Sequence, residues 1–190
     1  MSLNIYILAG GKSSRMGQDK GLLQMQDKPI VQHLIETVKP LSDKIWIITE
    51  NEDYLSMGIP LLKDTLPNIG PAGGIDTILQ HSTARQNLIL SCDMPFVVSD
   101  ALEVFLKQDP SNITIAKLHG YPEVFPGIYP SHCAALWRTT VLSGVYKMSE
   151  LISKFPTTFV SGEKIMEQYP HFFVNMNTPT EFEQALRWKK

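Results

Sequence analysis

The sequence predicts an α/β fold of three layers, a mainly parallel sheet with helices on both faces. Apolar runs of strand length alternate with amphipathic segments of helix length as far as residue 116. Several of these runs end in a polar loop before the next helix begins. Alternation at this spacing is typical of right-handed βαβ units, which build parallel sheets.

The elements are predicted in chain order from the spacing of their apolar residues. Residues 3–9 predict a buried strand, and residues 29–38 predict a helix with Ile30, Leu34 and Val38 on one face and a proline near its start. The same reasoning predicts strands at 44–49 and 60–63, a helix at 71–81, a strand at 87–91, a helix at 100–107 and a strand at 113–116.

Beyond Gly120 the alternation is less regular. Residues 121–129 contain two prolines, which favour extended or edge structure. We expect a helix at 133–142, strands at 157–160 and 172–174, and a closing helix at 179–188 after a Thr178 cap. No repeat, low-complexity tract or linker divides the sequence, so we predict one domain over residues 1–190.

Composition argues against several classes of protein. The formal net charge is −2, and this lack of a basic excess predicts neither a nucleic-acid partner nor an anionic membrane. Two cysteines, Cys92 and Cys133, are fewer than a disulfide-stabilised secreted domain usually carries. The N-terminus lacks a cationic signal region, and no apolar run approaches the roughly 18 residues of a membrane span. We therefore expect a cytoplasmic protein.

The loop after the first predicted strand combines glycines with positive charge. Residues 8–20 have the sequence LAGGKSSRMGQDK, with three glycines and the cations Lys12, Arg15 and Lys20. Glycine lets backbone N–H groups turn toward a ligand without a Cβ in the way, so this loop predicts a polyphosphate site. A Walker A loop ending at residue 13 would need glycine at Tyr6, and a dinucleotide fingerprint starting at Gly10 would need glycine at Lys12.

Four polar loops are predicted to meet at one edge of the sheet. In open α/β sheets, ligands bind outside the carboxyl ends of the strands. The distinctive loops of this sequence follow predicted strands, at residues 10–20, 50–51, 64–74 and 92–95. A shared pocket at this edge is a stronger indication of a functional site than any one loop alone.

Asp93 follows a predicted strand at the same edge as the phosphate loop. Beside a triphosphate its carboxylate is suited to Mg²⁺, although a turn-initiating aspartate is the alternative. Arg15 and Lys20 are suited to stabilising phosphate oxygens, whereas a solvated surface cation is the better interpretation of Lys12. Asp19 either pairs with one of these cations or is a surface acid.

The loop that begins at Asp64 contains several glycines, Gly70, Gly73 and Gly74, against which a flat base could lie. The Asp64 carboxylate would then accept hydrogen bonds from the base or the ribose, and the alternative is a plain loop ahead of a helix. Asn51, Asn175 and Asn177 are less specific, since Asn177-Thr178-Pro179 is also a good helix start. The five histidines show no metal-ligand spacing, so zinc is not expected.

Together these residues resemble the molybdenum cofactor guanylyltransferase family, within the nucleotidyltransferases of the nucleotide-diphospho-sugar type. The likeness rests on residues 8–20, on Asp64-Thr65 with the GPAGG run from Gly70 to Gly74, on the CDMP run at 92–95 and on the NMNTP run at 175–179. The runs occur in the order in which that family has them. The pair Gly10-Gly11 favours guanylyl transfer over the cytidylyl and sugar-phosphate relatives.

The resemblance implies a three-layer Rossmann-like fold and a reaction. In that reaction GMP passes from GTP to molybdenum-bound molybdopterin, giving the guanine dinucleotide cofactor and pyrophosphate. The implied halves are a donor-nucleotide half at about 1–110 and an acceptor half at about 111–190. Possible protein partners are molybdenum cofactor biosynthesis enzymes or the enzymes that receive the cofactor, in transient contacts.

The resemblance also implies roles for individual residues, with Mg²⁺ as the cofactor. Arg15, Lys20 and Asp93 would be catalytic, Asp93 would bind the metal, and Asn175 and Asn177 would face the acceptor. The implied nucleotide-binding residues are Leu8, Ala9, Gly10, Gly11, Lys20, Asn51, Asp64, Gly70, Gly74 and Asp93.

Two other functions stay open at this point. The first is a nucleotidyltransferase of the same superfamily that uses CTP, a sugar 1-phosphate or another phosphate acceptor. The second is a GTP-binding regulatory module without catalysis. The acceptor side is the weaker match: residues 121–159 resemble the family little, and the basic candidates for the pterin phosphate are Arg138, Lys147 and Lys154.

Overall fold

A seven-stranded sheet flanked by helices organises the part of the chain that the computed structural model describes, residues 2–10 and 19–188. The strands are β1 (Leu3–Leu8), β2 (Gln24–Met25), β3 (Lys28–Pro29), β4 (Ile45–Ile48), β5 (Leu61–Leu62), β6 (Gln86–Ser91), β7 (Ile113–Leu118), β8 (Tyr121–Pro130) and β9 (Thr157–Ser161). The helices are α1 (Ile30–Val38), α2 (Pro71–His81), α3 (Ser99–Leu106), α4 (Ala134–Leu142), α5 (Met148–Ile152), α6 (Gly162–Gln168) and α7 (Pro179–Ala185). Short 3-10 turns occupy Lys20–Leu22, Glu52–Met57 and Ser131–Cys133.

The sheet is mostly parallel, with the strand order β5-β4-β1-β6-β8-β7-β9. Neighbouring strands are parallel except at β8, which runs antiparallel to both β6 and β7. Strands β2 and β3 form a separate small hairpin. In the parallel register Leu8 lies opposite Ile48 on one side and Ser91 on the other, so β1, β4 and β6 end at the same edge.

Helices cover both faces of the sheet, as the alternation of apolar residues predicts. Successive residues of a strand point to opposite faces. Ile5 and Ile7 of β1 pack in one core with residues of α1, α3 and α6, whereas Tyr6 packs in a second core with residues of α2, α4 and α5. The three-layer α/β prediction is therefore confirmed.

Residues 121–129 form most of the extended strand β8, as expected, and the first part of this strand pairs with β7 alone. β8 lies inside the sheet, and its buried end at Ile128 pairs with both neighbours. Pairing with β7 passes from Gly127 to Glu123, which leaves Pro126 in an irregular segment. Pro122 pairs with β7 alone, so its missing N–H removes no bond on the β6 side.

The expectation of a strand at 172–174 was wrong. This segment is a turn, in which Phe172 and Phe173 are buried and Phe172 stacks against Phe105 of α3 at 6.4 Å between ring centres. The apolar run reflects packing against a helix, not pairing in the sheet. Sequence periodicity did not indicate α5, α6 or the β2–β3 hairpin, all of which are too short for a clear repeat.

Trp137 fastens α4 to the first turn of α2. Its ring is fully buried, meets Tyr129 edge to face at 5.8 Å and donates a hydrogen bond from Nε1 to the carbonyl of Ala72 at 3.1 Å. This contact helps to position the first turn of α2, which lies beside the carboxyl edge of the sheet.

We expect Trp137→Phe to lower the free energy of unfolding by about 2–3 kcal/mol, because it removes a hydrogen bond and leaves a cavity. Urea denaturation measures this value. The matched change Trp46→Phe affects a partly exposed indole that stacks on Tyr6, and should cost roughly 1 kcal/mol or less. Equal losses in the two variants would contradict the assigned role of Trp137.

Candidate active site

Two adjoining clefts open where β1, β4 and β6 end. The outer cleft, about 660 Å³, is bounded by the ends of β1 and β4 and by the loop before α2. The inner cleft, about 190 Å³, reaches to Lys20 and Asp93. Both are lined by Ala9, Gly10, Asp19, Ile48 and Gly70, so they form one continuous depression.

The wall between β5 and α2 is held rigidly around Asp64. One carboxylate oxygen, Oδ1, accepts hydrogen bonds from the Leu66 N–H and from the Thr77 hydroxyl of α2, both at 2.9 Å. Gly73 allows this close approach, because a Cβ there would overlap the Leu66 carbonyl oxygen. Gly70 turns the chain into α2 with a φ of 68°, in the left-handed region that favours glycine. The result places Asp64 on the lining of the outer cleft.

Lys20, Asp93 and Asn177 meet at the inner cleft. The Lys20 Nζ donates to Asn177 Oδ1 at 2.7 Å and lies 3.9 Å from Asp93 Oδ2. The other carboxylate oxygen, Asp93 Oδ1, is buried and has no hydrogen-bond partner among residues 2–10 and 19–188. A buried carboxylate oxygen without a partner is costly unless a ligand or ion satisfies it.

Asp19 joins the turn that carries Lys20 to the end of β4. Its Oδ1 accepts from the Tyr54 hydroxyl at 2.5 Å and from the Gly21 N–H at 3.2 Å, and its Oδ2 accepts from Asn51 Nδ2 at 3.2 Å. Asp19 therefore connects the turn of Lys20 to the segment after β4 and is not a surface acid. Its hydrogen-bond partners are Gly21, Asn51 and Tyr54, and Lys20 is not among them. Pairing with Arg15 would lie outside the described residues.

The Tyr54 hydroxyl keeps its proton and acts as a hydrogen-bond donor in this network. Burial raises the pKa of Tyr54 well above its ordinary value, and the negative charge of Asp19 raises it further. Both polar atoms of the Asn51 side chain also make hydrogen bonds within the protein. Its Oδ1 accepts from the Asp53 N–H at 3.0 Å, and its Nδ2 donates to Asp19.

The segment before α7 is fixed to the inner cleft at several points. The Met176 N–H donates to the Asp93 carbonyl at 2.9 Å, and the Met176 side chain is buried with Phe96 and Ala185. Glu181 Oε2 accepts from the N–H groups of Asn177 and Thr178 at 2.7 and 2.9 Å. The Thr178 side chain accepts from the Glu181 N–H in return, which completes a capping box.

Most of the predicted site residues in the described ranges line the two clefts. The inner cleft has Leu8, Ala9, Gly10, Lys20, Gly70, Gly74 and Asp93, and the outer cleft has Ala9, Gly10, Asn51, Asp64 and Gly70. Asn177 joins them through Lys20, whereas Asn175 is exposed on the same segment and shows no side-chain hydrogen bond to them in the described part of the chain. Gly11 and Arg15 lie outside the described residues.

Sequence reasoning missed the supporting residues. Glu181 stands three residues after Thr178, which is the spacing of a capping box and could have been found. Tyr54 carries no comparable signal, because a lone tyrosine after a strand usually only packs. Glu50 and Asn68 also line the outer cleft.

Arg138, one of the basic residues considered for the acceptor side, is already paired. Its guanidinium donates to Oδ2 of Asp76 at 3.0 Å, and the Asp76 side chain is fully buried on α2. Burial raises the pKa of Asp76, and the positive charge of Arg138 opposes that rise. Arg138 therefore compensates a buried charge on α2.

The sequence matches the profile of a known family along most of its length. Residues 5–157 match the family described as "MobA-like NTP transferase domain". A protein of Flavobacterium johnsoniae named "Probable molybdenum cofactor guanylyltransferase" is 31% identical over 95% of this chain and 94% of its own. A protein of Vibrio parahaemolyticus named "Molybdenum cofactor guanylyltransferase" is 32% identical over 94% of this chain and 92% of its own.

Solved structures share the fold at lower identity. The molybdopterin-guanine dinucleotide biosynthesis protein A of Archaeoglobus fulgidus superposes with a TM-score of 0.81 at 22% identity, over 96% of each chain. A CMP:2-keto-3-deoxy-manno-octonic acid synthetase complexed with CTP superposes with a TM-score of 0.73 at 14% identity, over 98% of this chain and 97% of its own. In the described residues, every helix is too short or too polar to cross a lipid bilayer.

The profile match and the relatives above 30% identity agree with the glycine-lined clefts at the carboxyl edge of the sheet. The chain belongs to the MobA-like NTP transferase family.

Proposed function

We propose that this protein transfers GMP from GTP to molybdopterin, forming the guanine dinucleotide cofactor and releasing pyrophosphate. One observation carries the proposal: Lys20 lies beside Asp93, one oxygen of which has no hydrogen-bond partner among the described residues, at the inner end of a glycine-lined cleft. A cation and a free carboxylate oxygen are the two groups that a metal-bound triphosphate needs. The names of the two relatives supply the acceptor.

The guanosine of GTP fits the outer cleft. Its wall at Gly10 and Gly70 lets a flat base or ribose approach the backbone. The Oδ2 of Asp64 is not used in the bonds to Leu66 and Thr77, so it can accept hydrogen bonds from guanine N1 and N2 or from a ribose hydroxyl. Asn51 contributes by its place on the cleft wall.

The residues at the inner cleft fit a magnesium ion. Asp93 Oδ1 is a hard oxygen ligand that is buried and has no partner in the described part of the chain. Mg²⁺ is usually held by one or two carboxylates together with substrate phosphates and water, so a single protein ligand is sufficient. When bound, the ion would neutralise charge on the phosphates.

The transfer needs positioning more than proton movement. An oxygen of the acceptor's terminal phosphate attacks the α-phosphorus of GTP, and the bond from that phosphorus to the bridging oxygen of the β-phosphate breaks. Pyrophosphate leaves with the electron pair. The attacking phosphate is already an anion near neutral pH, so no general base is required. Lys20 stabilises the oxygens that gain charge, with Arg15 as a second cation in the proposal.

The acceptor approaches from the side of Asn177. This residue holds Lys20 at 2.7 Å and lies on the segment that the Asp93 carbonyl fastens to the cleft. Its amide can donate to a phosphate oxygen once Lys20 turns to the nucleotide. Asn175 lies two residues earlier on the same exposed segment and would contact the acceptor farther from the reacting atoms.

The nucleotide preference is tested with four nucleoside triphosphates and Mg²⁺. A ligand that binds only the native state stabilises it by about 2.7 kcal/mol at a hundredfold excess over Kd. If GTP is the nucleotide that binds most tightly, it should therefore raise the melting temperature most. Pyrophosphate should then appear only when molybdopterin is added. A larger shift with CTP would instead indicate a cytidylyltransferase, and GTP binding without turnover on any acceptor would indicate a regulatory module.

Asp93→Asn should abolish nearly all transfer, with a loss of roughly a hundredfold or more in kcat, because it removes the charge that holds the metal. Pyrophosphate release from GTP, Mg²⁺ and molybdopterin measures the effect. Asp100→Asn, an exposed change on α3, is the matched control and should keep normal activity. Full activity of Asp93→Asn would overturn the metal assignment.

Glu181→Gln should lower the melting temperature at about pH 7, and the difference from the original protein should shrink as the pH falls. The hydrogen bond from the Asn177 N–H lowers the pKa of Glu181, as does the one from Thr178. A lowered carboxyl pKa stabilises the fold above the ordinary pKa of glutamate, and this stabilisation is lost as the pH falls through the folded-state value.

Thermal unfolding between about pH 7 and pH 3 measures the Glu181 effect. Glu183→Gln on the exposed side of α7 is the control, and it should show no such pH-dependent difference. A constant difference for Glu181→Gln over the whole range would show that its charge does not hold the Asn177 segment.

A further inference from the structure

We propose that Tyr54 is a positioning residue for nucleotidyl transfer, which acts through Asp19 to hold Lys20 in the orientation that the reaction needs. The inference deepens the proposed function and rests on it. Tyr54 lines neither cleft, so its effect must pass through other residues. The path runs from the Tyr54 hydroxyl to the Asp19 carboxylate and along one peptide bond to Lys20.

Asp19 receives three hydrogen bonds that come from two parts of the chain. Tyr54 and Asn51 donate from the segment after β4, and the Gly21 N–H donates from the turn of Lys20 itself. Asp19 is also the residue that caps this 3-10 turn. The carboxylate therefore fixes the turn of Lys20 to the end of β4, and Tyr54 supplies the shortest of the three bonds.

The ring of Tyr54 is also the surface on which the turn is seated. Tyr54 is fully buried, and a Cβ built on Gly21 would overlap its hydroxyl oxygen. Gly21 is itself buried. The turn of Lys20 thus contacts Tyr54 through backbone atoms as well as through Asp19, which leaves it little freedom to shift.

Lys20 needs such support because its side chain has several rotatable bonds. Its Nζ is held at the tip by Asn177 at 2.7 Å, with Asp93 at 3.9 Å. During the reaction this tip contact must give way as the amine turns to the phosphates. From then on the position of the amine depends on the backbone of Lys20, which Asp19 and Tyr54 hold.

A second consequence concerns charge. Asp19 borders both clefts, where an unneutralised carboxylate would repel the phosphates of the nucleotide. The three donors spread and partly offset that charge. Burial raises the pKa of Tyr54 above its ordinary value, so its hydroxyl keeps the proton that it donates to Asp19.

The test is a double-mutant cycle on kcat with Tyr54→Phe, Lys20→Ala and the double variant. Tyr54→Phe keeps the ring and should lower kcat by roughly tenfold or more, because small misplacements of a catalytic group are expensive. In the Lys20→Ala background the same change should cost about twofold or less, since the residue it positions is gone. A merely structural role would give the same fold-loss in both backgrounds.

Tyr6→Phe is the matched control for the cycle. Tyr6 is equally buried, and its hydroxyl is bonded to Asn4 and to His81 at the end of α2 away from the clefts. It should lower the melting temperature about as much as Tyr54→Phe does but leave kcat within about twofold. Equal kcat losses for the two phenylalanine variants, or an equal Tyr54→Phe effect with and without Lys20, would overturn the inference.

Two further measurements keep the result interpretable. If Tyr54→Phe does not fold, Asp19→Asn cuts the same path, and its effect on kcat should likewise vanish in the Lys20→Ala background; an undiminished effect would overturn the inference. The same cycle on the Kd of Mg-GTP needs no turnover. If the unsubstituted protein binds GTP but transfers nothing to molybdopterin, the proposed function is refuted. In that case, coupling between Tyr54 and Lys20 in the Kd of Mg-GTP would still support the positioning role. Independent effects of the two substitutions on that Kd would refute the positioning role.

Discussion

The parallel register of β1, β4 and β6 is the constraint on which the rest of the site depends. Because Leu8 lies between Ile48 and Ser91, the three strands end level with one another, and their following loops leave the sheet at the same height. Ala9 and Gly10, Thr49 to Asn51, and Cys92 with Asp93 are thereby brought around one depression. A slip of one residue in any of these strands would exchange its two faces and separate the loops.

The three carboxylates of the site differ in how far the protein satisfies them, and this difference separates their roles. Asp19 accepts three hydrogen bonds and is a structural junction. Asp64 uses one oxygen to hold its loop on α2, and its other oxygen takes no part in those two bonds at the lining of the outer cleft. Asp93 keeps one buried oxygen without a partner in the described residues, which is the state expected of a group reserved for a cation. Chemically identical side chains thus differ in how many hydrogen bonds the described residues supply to them.

Much of the fold could be predicted from the sequence because the first half of the chain alternates regularly. The strands at 3–9, 44–49 and 87–91 and the helix at 71–81 agree with β1, β4, β6 and α2 to within about a residue. The second half could not be predicted as well, since β8 breaks its pairing at a bulge and Phe172 packs on a helix from within a turn. Tertiary contacts decide both cases, and local periodicity does not report them.

The cleft-lining residues could be predicted where a short run of glycine, lysine and aspartate accompanied a strand end. The residues that support them could not be predicted. The partners of Asp19, for example, depend on the position of Tyr54, which lies 35 residues away. The roles of all the predicted site residues, the magnesium ion and the single-domain organisation stay predictions, and Gly11 and Arg15 also lie outside the described residues. The correspondence between Asn51 and the nucleoside is similarly untested, although the structure shows what else Asn51 binds.

Lys20 and Asn177 are 157 positions apart in the chain, yet their side chains touch. A ribosome makes the lysine early and the asparagine late, so this contact can form only after most of the described chain has been synthesised. A partly synthesised chain that ends before residue 176 lacks the segment that contacts Asp93 and Lys20. Under the proposed function, the site is complete only once the chain has been synthesised as far as residue 177.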